Sequence, residues 1–194
     1  SLASALENDL TEPDPELDIS GWDTAQKLGI LVARARGVRF LVEDVGGRGI
    51  RGLDPARVQG AAHLGYRIKL VGIFLRGRRR QVLGVLPAAV AAEGHLGGVR
   101  RDANVVVIDG GEAGEMVYQA RGSGDLPIAT AVLGDLIGLF HPGRSWTGRY
   151  ARARRKPAAP RFNRYLVVRN GEVVLAEAAT EPGVPLLDSL IHAR

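Results

Sequence analysis

Tyr66-Arg67-Ile68-Lys69-Leu70-Val71-Gly72-Ile73-Phe74-Leu75, then Arg76-Gly77-Arg78-Arg79-Arg80, then Gln81-Val82-Leu83-Gly84-Val85-Leu86-Pro87 is the stretch that decides the fold. Two apolar runs of strand length flank a short turn rich in arginine and glycine, as two successive antiparallel strands require. A parallel pair would need a crossover of a dozen or more residues between them, and here only a few intervene. The first strand, Tyr66–Leu75, is nearly all apolar on one face, so at least that face is covered.

The segments upstream are helical. Trp22 to Arg36 carries apolar residues at Leu28, Leu31, Val32 and Ala35, a stripe of helical period, and Gly37 follows as its C-cap. Val38–Val42 reads as a short strand. The glycine-rich link Gly46–Gly52 leads to a helix with Asp54 as N-cap and Pro55 in its first turn, closing near Gly65. Residues 1–8 read as a helix end with Leu2 and Leu6 on one face, and an acidic loop broken at Pro13 and Pro15 comes next.

Downstream, Asn104–Ile108 and Glu115–Gln119 are strands joined through Asp109-Gly110-Gly111. Gly122-Ser123-Gly124 precedes a helix from about Ile128 to Leu139. Residues 142–161 form a linker rich in Pro, Arg and Ala. A hairpin follows, Tyr165–Val168 and Glu172–Ala176, turning at Asn170-Gly171. This order implies an α+β fold: a mixed sheet with helices on one face. A strand-GxGxxG-helix unit appears nowhere, since Gly46-Gly47-Arg48-Gly49 is not followed by a helix in register and Gly122-Ser123-Gly124 lacks a third glycine.

Composition narrows the chemistry. The 194 residues are 45% hydrophobic, enough for a core, and contain no cysteine, which removes disulfides, thiol nucleophiles and zinc-thiolate sites. His63, His95, His141 and His192 lie far apart in sequence, without metal-ligand spacing. The net charge of +5 suits anionic partners such as a dinucleotide phosphate or a nucleic acid. Arg76 with Arg78–Arg80, Arg100-Arg101 and the run from Arg149 to Lys156 supply it. No aromatic residue interleaves with the Arg76–Arg80 cluster, so it lacks the stacking platform of a single-strand binder, and solvated charge is its ordinary reading. No apolar run reaches the ~20 residues of a membrane span, and the first residues lack the basic flank of a signal peptide. The expectation is a soluble cytoplasmic protein.

Only three lysines, Lys27, Lys69 and Lys156, stand among 26 basic residues. Arginine keeps its proton at working pH, whereas lysine can be tuned to release it. Lys27 stands one helical turn after Asp23 and follows a segment carrying Glu12, Asp14, Glu16 and Asp18. The pair is either an ordinary i,i+4 ion pair on a helix surface or a proton relay beside carboxylates that orient a polar substrate. The acids also suit the positive end of a helix. At 3.6 residues per turn Lys27 falls at the border of the Leu28 stripe, where it can lean over the acidic segment into a pocket lined by Glu12 and Asp23. Gly122-Ser123-Gly124 before a helix offers backbone amides to a phosphate or a nicotinamide edge, or is simply a tight turn.

Three blocks carry a family resemblance. Thr11-Glu12-Pro13-Asp14-Pro15 through Gly21-Trp22-Asp23-Thr24-Ala25-Gln26-Lys27-Leu28 resembles the substrate-site signature of homoserine dehydrogenases. His63-Leu64-Gly65-Tyr66-Arg67-Ile68-Lys69-Leu70-Val71-Gly72 is similar to a strand entry of bacterial members. Gly122-Ser123-Gly124-Asp125-Leu126-Pro127 with Ala131-Val132 and Asp135-Leu136 resembles their closing segment. The blocks keep family order and spacing over about residues 1–140.

The resemblance implies reversible oxidation of L-homoserine to L-aspartate 4-semialdehyde with NADP or NAD, in threonine and methionine biosynthesis. It implies Lys27 as the proton-transfer residue, Glu12 and Asp23 as holders of the homoserine amino and hydroxyl groups, Asp18 as a supporting acid, and Gly124 as the cofactor-approaching glycine. It implies a homodimer joined through the sheet. Residues 1–140 are then a catalytic domain, and residues 141–194 a linker with a hairpin extension. Departures accompany it. The family's nucleotide-binding half, with its glycine loop and second lysine, has no counterpart in these residues, nor has its monovalent-cation site. Asp9-Leu10 replaces the usual Gly-Tyr, and Ile128 and Thr130 replace the usual Thr and Ser. The expectation is a catalytic domain inactive without a separate nucleotide-binding domain. The rival reading is a non-catalytic dimerisation or regulatory protein on the same sheet, and a basic nucleic-acid-binding module ranks last.

Overall fold

The computed structural model describes residues 16–47, 49–76, 81–99, 103–140, 151–153, 156–160, 164–169, 172–177, 184–185 and 187. The helix expected at residues 1–8, the loop with Glu12, the tip of the arginine turn and Asn170-Gly171 lie outside them. The chain divides into two compact units, Pro13–Gly97 with Tyr150–Arg194, and Ser1–Glu12 with Gly98–Arg149.

The elements of the larger unit begin with α1 (Glu16–Ser20), α2 (Trp22–Arg36), β1 (Val38–Arg39), a 3-10 turn at Val42–Asp44 and β2 (Gly46–Gly47). They continue with α3 (Pro55–His63), β3 (Tyr66–Arg76), β4 (Gln81–Ala91) and the short α4 (His95–Gly98). The expected acidic loop therefore becomes helical at Glu16, directly after the prolines, with Glu16 and Asp18 in the first turn where the helix dipole favours carboxylates. Helix α2 has the expected bounds. Gly21, at φ 85°, turns the chain into it, and Gly37, at φ 65°, ends it by donating its N–H to Ala33 O at 2.9 Å. Asp54 caps α3, its Oδ1 accepting from Ala56 N at 2.9 Å.

Strand β4 lies at the centre of a three-stranded sheet, antiparallel to β3 along all eleven residues and parallel to β2 at Gly46 and Gly47. Helices α2 and α3 cover one face of it. Val32 and Leu28 pack with Phe40, Phe74 and Leu83, and Ala61 packs with Ala89, Tyr66 and Ile68. At Gly72 a Cβ would meet Leu28 and Thr24 at 3.3 and 3.5 Å, so glycine lets α2 lie close on β3. The buried residues of α2 are Ala25, Val32 and Ala33. Leu31 and Ala35 face outward, contrary to the expected stripe.

The opposite sheet face holds Ile73 and Leu86 with Val71 and Leu75, and Leu187 from the C-terminal stretch packs on them. The later strands are β5 (Ala103–Asp109), β6 (Glu115–Arg121), β7 (Ala151–Arg152), β8 (Arg164–Arg169), β9 (Glu172–Glu177) and β10 (Val184–Pro185). Of these, β7 joins β1 in parallel, and β8, β9 and β10 form a second three-stranded sheet. Arg169 is paired with Glu172, which leaves a two-residue hairpin connection as Asn170-Gly171 predicts.

In the smaller unit β5 and β6 make an antiparallel hairpin, and Gly110 N donates to Gly114 O at 2.9 Å across the turn. Helix α5 (Asp125–Leu139) follows, beginning three residues before the expected start. Pro127 stands in its first turn, where a missing N–H costs no intrahelical bond. The fold is α+β, with mixed pairing and helices on one face of the main sheet. Among the described residues no helix is long and apolar enough to cross a membrane.

Candidate active site

The corner between α1 and α2 joins the short helix with Glu16 and Asp18 to the helix that carries Asp23 and Lys27. Gly21 N donates to Asp18 O at 3.3 Å, Ala25 N donates to Gly21 O at 3.0 Å, and Ser20 Oγ donates to Leu17 O at 3.3 Å. Two further glycines seat this corner. A Cβ on Gly49 would lie 1.9 Å from Ile19 O and 2.5 Å from the carbonyl carbon of Ser20. A Cβ on Gly21 would meet Val85 of β4 at 3.3 Å and the Gly49 Cα at 3.6 Å. Ile50 N then donates to Ile19 O at 2.8 Å. The backbone of residues 49–50 thus lies directly against the corner, which only a missing side chain permits.

From the second turn of α2, Lys27 Nζ reaches back to within 2.7 Å of Asp23 Oδ2 on the first. The lysine side chain is 61% exposed and the aspartate 36%. The expected border position rested on Leu31 and Ala35 being buried. With both outward, Lys27 shares their side of the helix and stands in solvent. Asp18 is exposed on α1, and Glu12 lies outside the described residues. Glu16 is held by Arg51, whose Nη2 donates to its Oε2. Sequence alone did not single out Arg51, because the two partners are 35 residues apart. The Gly46–Gly52 link, read as a mere connection, is what carries Arg51 and Gly49 to the acidic corner.

In the smaller unit Gly124 stands at the start of α5 with φ 97° and ψ 153°, a conformation confined to glycine. It has no side-chain cap and is exposed, so its backbone is free to be approached closely. The described residues contain no cradle for a dinucleotide pyrophosphate of the strand-glycine-helix kind, so they do not fit a whole NADP or NAD molecule. Among the described residues, no group of three or more His, Asp or Glu side chains is placed to hold a metal ion.

Two more charged groups are placed by the fold. Arg67 Nη1 donates to Gly97 O at 2.9 Å. Lys69 stands two residues along β3 on the same side, and burial, with the Arg67 charge beside it, pulls its pKa below the ordinary 10.5.

The α+β fold with an exposed Asp-Lys pair on its first long helix does not by itself fix a reaction, and comparison with known proteins supplies the family. A family model described as homoserine dehydrogenase matches residues 1–137. The homoserine dehydrogenase of Mycobacterium tuberculosis is 36% identical over 142 residues, covering 71% of this chain and 32% of that protein. That of Corynebacterium glutamicum is 31% identical over 154 residues, covering 75% and 35%. Among solved structures, a homoserine dehydrogenase from Thiobacillus denitrificans superposes with a TM-score of 0.70 at 29% identity, covering 88% of this chain and 43% of that one. A hyperthermophilic archaeal homoserine dehydrogenase in complex with NADPH gives a TM-score of 0.55 at 26% identity, covering 73% and 40%. The chain belongs to the homoserine dehydrogenase family. It spans about a third of the length of the curated relatives it matches.

Proposed function

We propose that this chain is the substrate-binding part of a homoserine dehydrogenase, which interconverts L-homoserine and L-aspartate 4-semialdehyde once a nucleotide-binding domain supplies NADP or NAD. The observation that carries the reading is the Asp23–Lys27 pair at 2.7 Å beside the acidic corner. By the family resemblance, Asp23 and Glu12 hold the amino and hydroxyl groups of homoserine, with Asp18 in support. Lys27, oriented by Asp23, moves the hydroxyl proton. Gly124 lies against the cofactor, which takes or gives the hydride when bound. The catalytic part is residues 1–140, and 141–194 is its extension. The working form is a homodimer.

The need for a second domain is supported by two surfaces. Lys27 is exposed, and a proton-transferring amine works best where water is excluded. Helix α5 exposes Leu126, Ile128, Val132, Leu133, Leu136, Ile137 and Leu139 around its circumference, and a helix apolar on all sides is ordinarily buried. The exposure of Lys27 equally favours one other reading, a non-catalytic dimerisation or regulatory protein that keeps Asp23 and Lys27 as a surface ion pair.

The test uses the purified chain with and without the nucleotide-binding half of a homoserine dehydrogenase. The chain alone is expected to show no homoserine oxidation, and the complemented enzyme to turn over. Lys27→Ala then lowers kcat by roughly 10²–10⁴, the scale of a lost acid-base group, with little change in Tm. Full turnover by Lys27→Ala, or robust turnover by the chain alone, would defeat the proposal.

A further inference from the structure

Helix α1 has five residues and buries none of its side chains. A helix this short is not stable on its own, because its first turn fixes several dihedrals for a single hydrogen bond. Its place in the fold is therefore set by neighbours. At its C-terminal end it runs through Gly21 into α2, and Ile50 N donates to Ile19 O at 2.8 Å. At its N-terminal end Glu16 accepts from Arg51. Both contacts come from the short link between β2 and α3.

That link is itself anchored at both ends. Upstream, Gly46 and Gly47 pair with Gly84 and Val85 of the central strand, and a side chain on Gly47 would collide with the Val85 carbonyl. Downstream, Leu53 N donates to Ile50 O at 3.1 Å, Leu53 packs against Ala61, Ala89 and Val184, and Asp54 caps α3. Arg51 thus extends from a fixed backbone to a helix with no buried residue of its own. As an exposed ion pair the contact adds little to the stability of the whole chain. Its effect is local, restricting the orientation of α1.

Asp18 lies on α1 two residues after Glu16, and Glu12 precedes Glu16 by four residues in the chain. Asp23 and Lys27 stand instead on α2, which Leu28 and Val32 seat against Phe74 and Leu83 of the sheet. We propose that Arg51 is a positioning residue for the substrate. By holding Glu16 it presets the acidic segment that receives the amino group of homoserine, while the lysine that moves the proton depends on α2 alone. The inference rests on the functional reading above and divides its site into a clamped binding half and a self-supporting proton-transfer half. A preset carboxylate removes an ordering step from substrate binding, so its loss is read in KM more than in kcat.

In the enzyme complemented with a nucleotide-binding half, Arg51→Ala is expected to raise KM for homoserine about three- to fivefold, the scale of an exposed ion pair, with kcat and the KM for NADP within about twofold of wild type. Arg51→Lys keeps the charge and most of the affinity. Glu16→Arg and Arg51→Glu each raise KM further, and the swapped pair E16R/R51E restores it. Arg36→Ala, which removes the same charge from the exposed end of α2, changes neither constant. In the chain alone, hydrogen exchange at the Ile50 amide speeds up in Arg51→Ala and not in Arg36→Ala, with Tm nearly unchanged in both. A wild-type complemented enzyme without turnover would overturn the functional reading and this role with it. Turnover in which Arg51→Ala leaves KM unchanged, lowers kcat instead, or matches Arg36→Ala would overturn the role of Arg51 alone. So would a swapped pair no better than either single reversal, or Ile50 exchange indifferent to Arg51.

Discussion

Replacing Gly49 by alanine asks whether the close seating of the α1–α2 corner is a structural necessity. The new Cβ would lie 1.9 Å from Ile19 O and 2.6 Å from Ser20 Cα, and both neighbours are backbone, which cannot rotate away as a side chain can. The loop and the corner must separate by ~1 Å or more, an overpacking strain of about 1–3 kcal/mol. That separation also breaks the 2.8 Å bond from Ile50 N to Ile19 O, which contributes about 1 kcal/mol. The sum, roughly 2–4 kcal/mol, lowers the Tm of a chain of this length by about 5–15 °C.

The matched control is Gly29→Ala, in the middle of α2, where a Cβ meets nothing within 4 Å. There alanine removes glycine's backbone entropy and stabilises by about 0.5–1 kcal/mol. Thermal unfolding followed by circular dichroism reads both. A Gly49→Ala protein melting within about 1 °C of wild type, or the two variants falling alike, would refute the packing argument. The corner carries Asp18 and Asp23, so the same variant disturbs the acidic end of the site without touching a carboxylate.

Lys69 makes stability depend on alkaline pH. Burial, then the charge of Arg67, lowers its folded pKa below the 10.5 of the free side chain. Between the two values the unfolded chain binds more protons than the folded one, so stability rises with pH across that window, and the penalty is fully present below it. Lys69→Met is expected to flatten this rise in urea titrations, and an unchanged slope would refute the assignment. Asp54→Ala removes the side chain that accepts from Ala56 N and costs about 1 kcal/mol, while Asp54→Asn keeps most of the cap. Equal losses in the two variants, by urea unfolding, would show that the cap is not the cause.

Where the sequence was read from local chemistry, the structure agrees. Gly37 and the Asp54-Pro55 start carry their own conformational requirement, and Asp109-Gly110-Gly111 turns the β5–β6 hairpin. The misreadings come from choices that only tertiary neighbours settle. Helix α2 is apolar enough for two adjacent stripes, and the seating of Leu28 on Gly72 selects the one through Ala25, Leu28 and Val32 over that through Leu31 and Ala35. The expected strand ends at Pro87, yet β4 runs on to Ala91. Counted from the bond between Ala92 N and Gly65 O, the nitrogen of Pro87 points away from β3, on a side where β2 reaches only Gly84 and Val85. Its missing N–H therefore leaves no gap in the ladder. The tail, read as a linker and extension, returns to the sheet through Ala158, Pro160 and Leu187, contacts that no local pattern announces.

For the site, spacing was enough to bring Asp23 and Lys27 within 2.7 Å, because i,i+4 partners on a helix always share a face. Spacing says nothing about water, and water separates the two readings of the pair. A surface ion pair keeps its exposure whatever joins the chain. A proton-transferring lysine must be enclosed when the nucleotide-binding domain, cofactor and homoserine assemble on it. With three lysines in the chain, acylation by a water-soluble ester followed by peptide mass spectrometry reports each amine separately. In the chain alone Lys27 should react about as fast as Lys156, since both are exposed. In the complemented enzyme with NADP and homoserine, Lys27 should fall well behind Lys156, and Asp23→Ala, which frees the ammonium from its carboxylate, should recover part of that reactivity. If Lys27 keeps pace with Lys156 in the assembled enzyme, its exposure is permanent and it belongs to the solvent, not to the substrate.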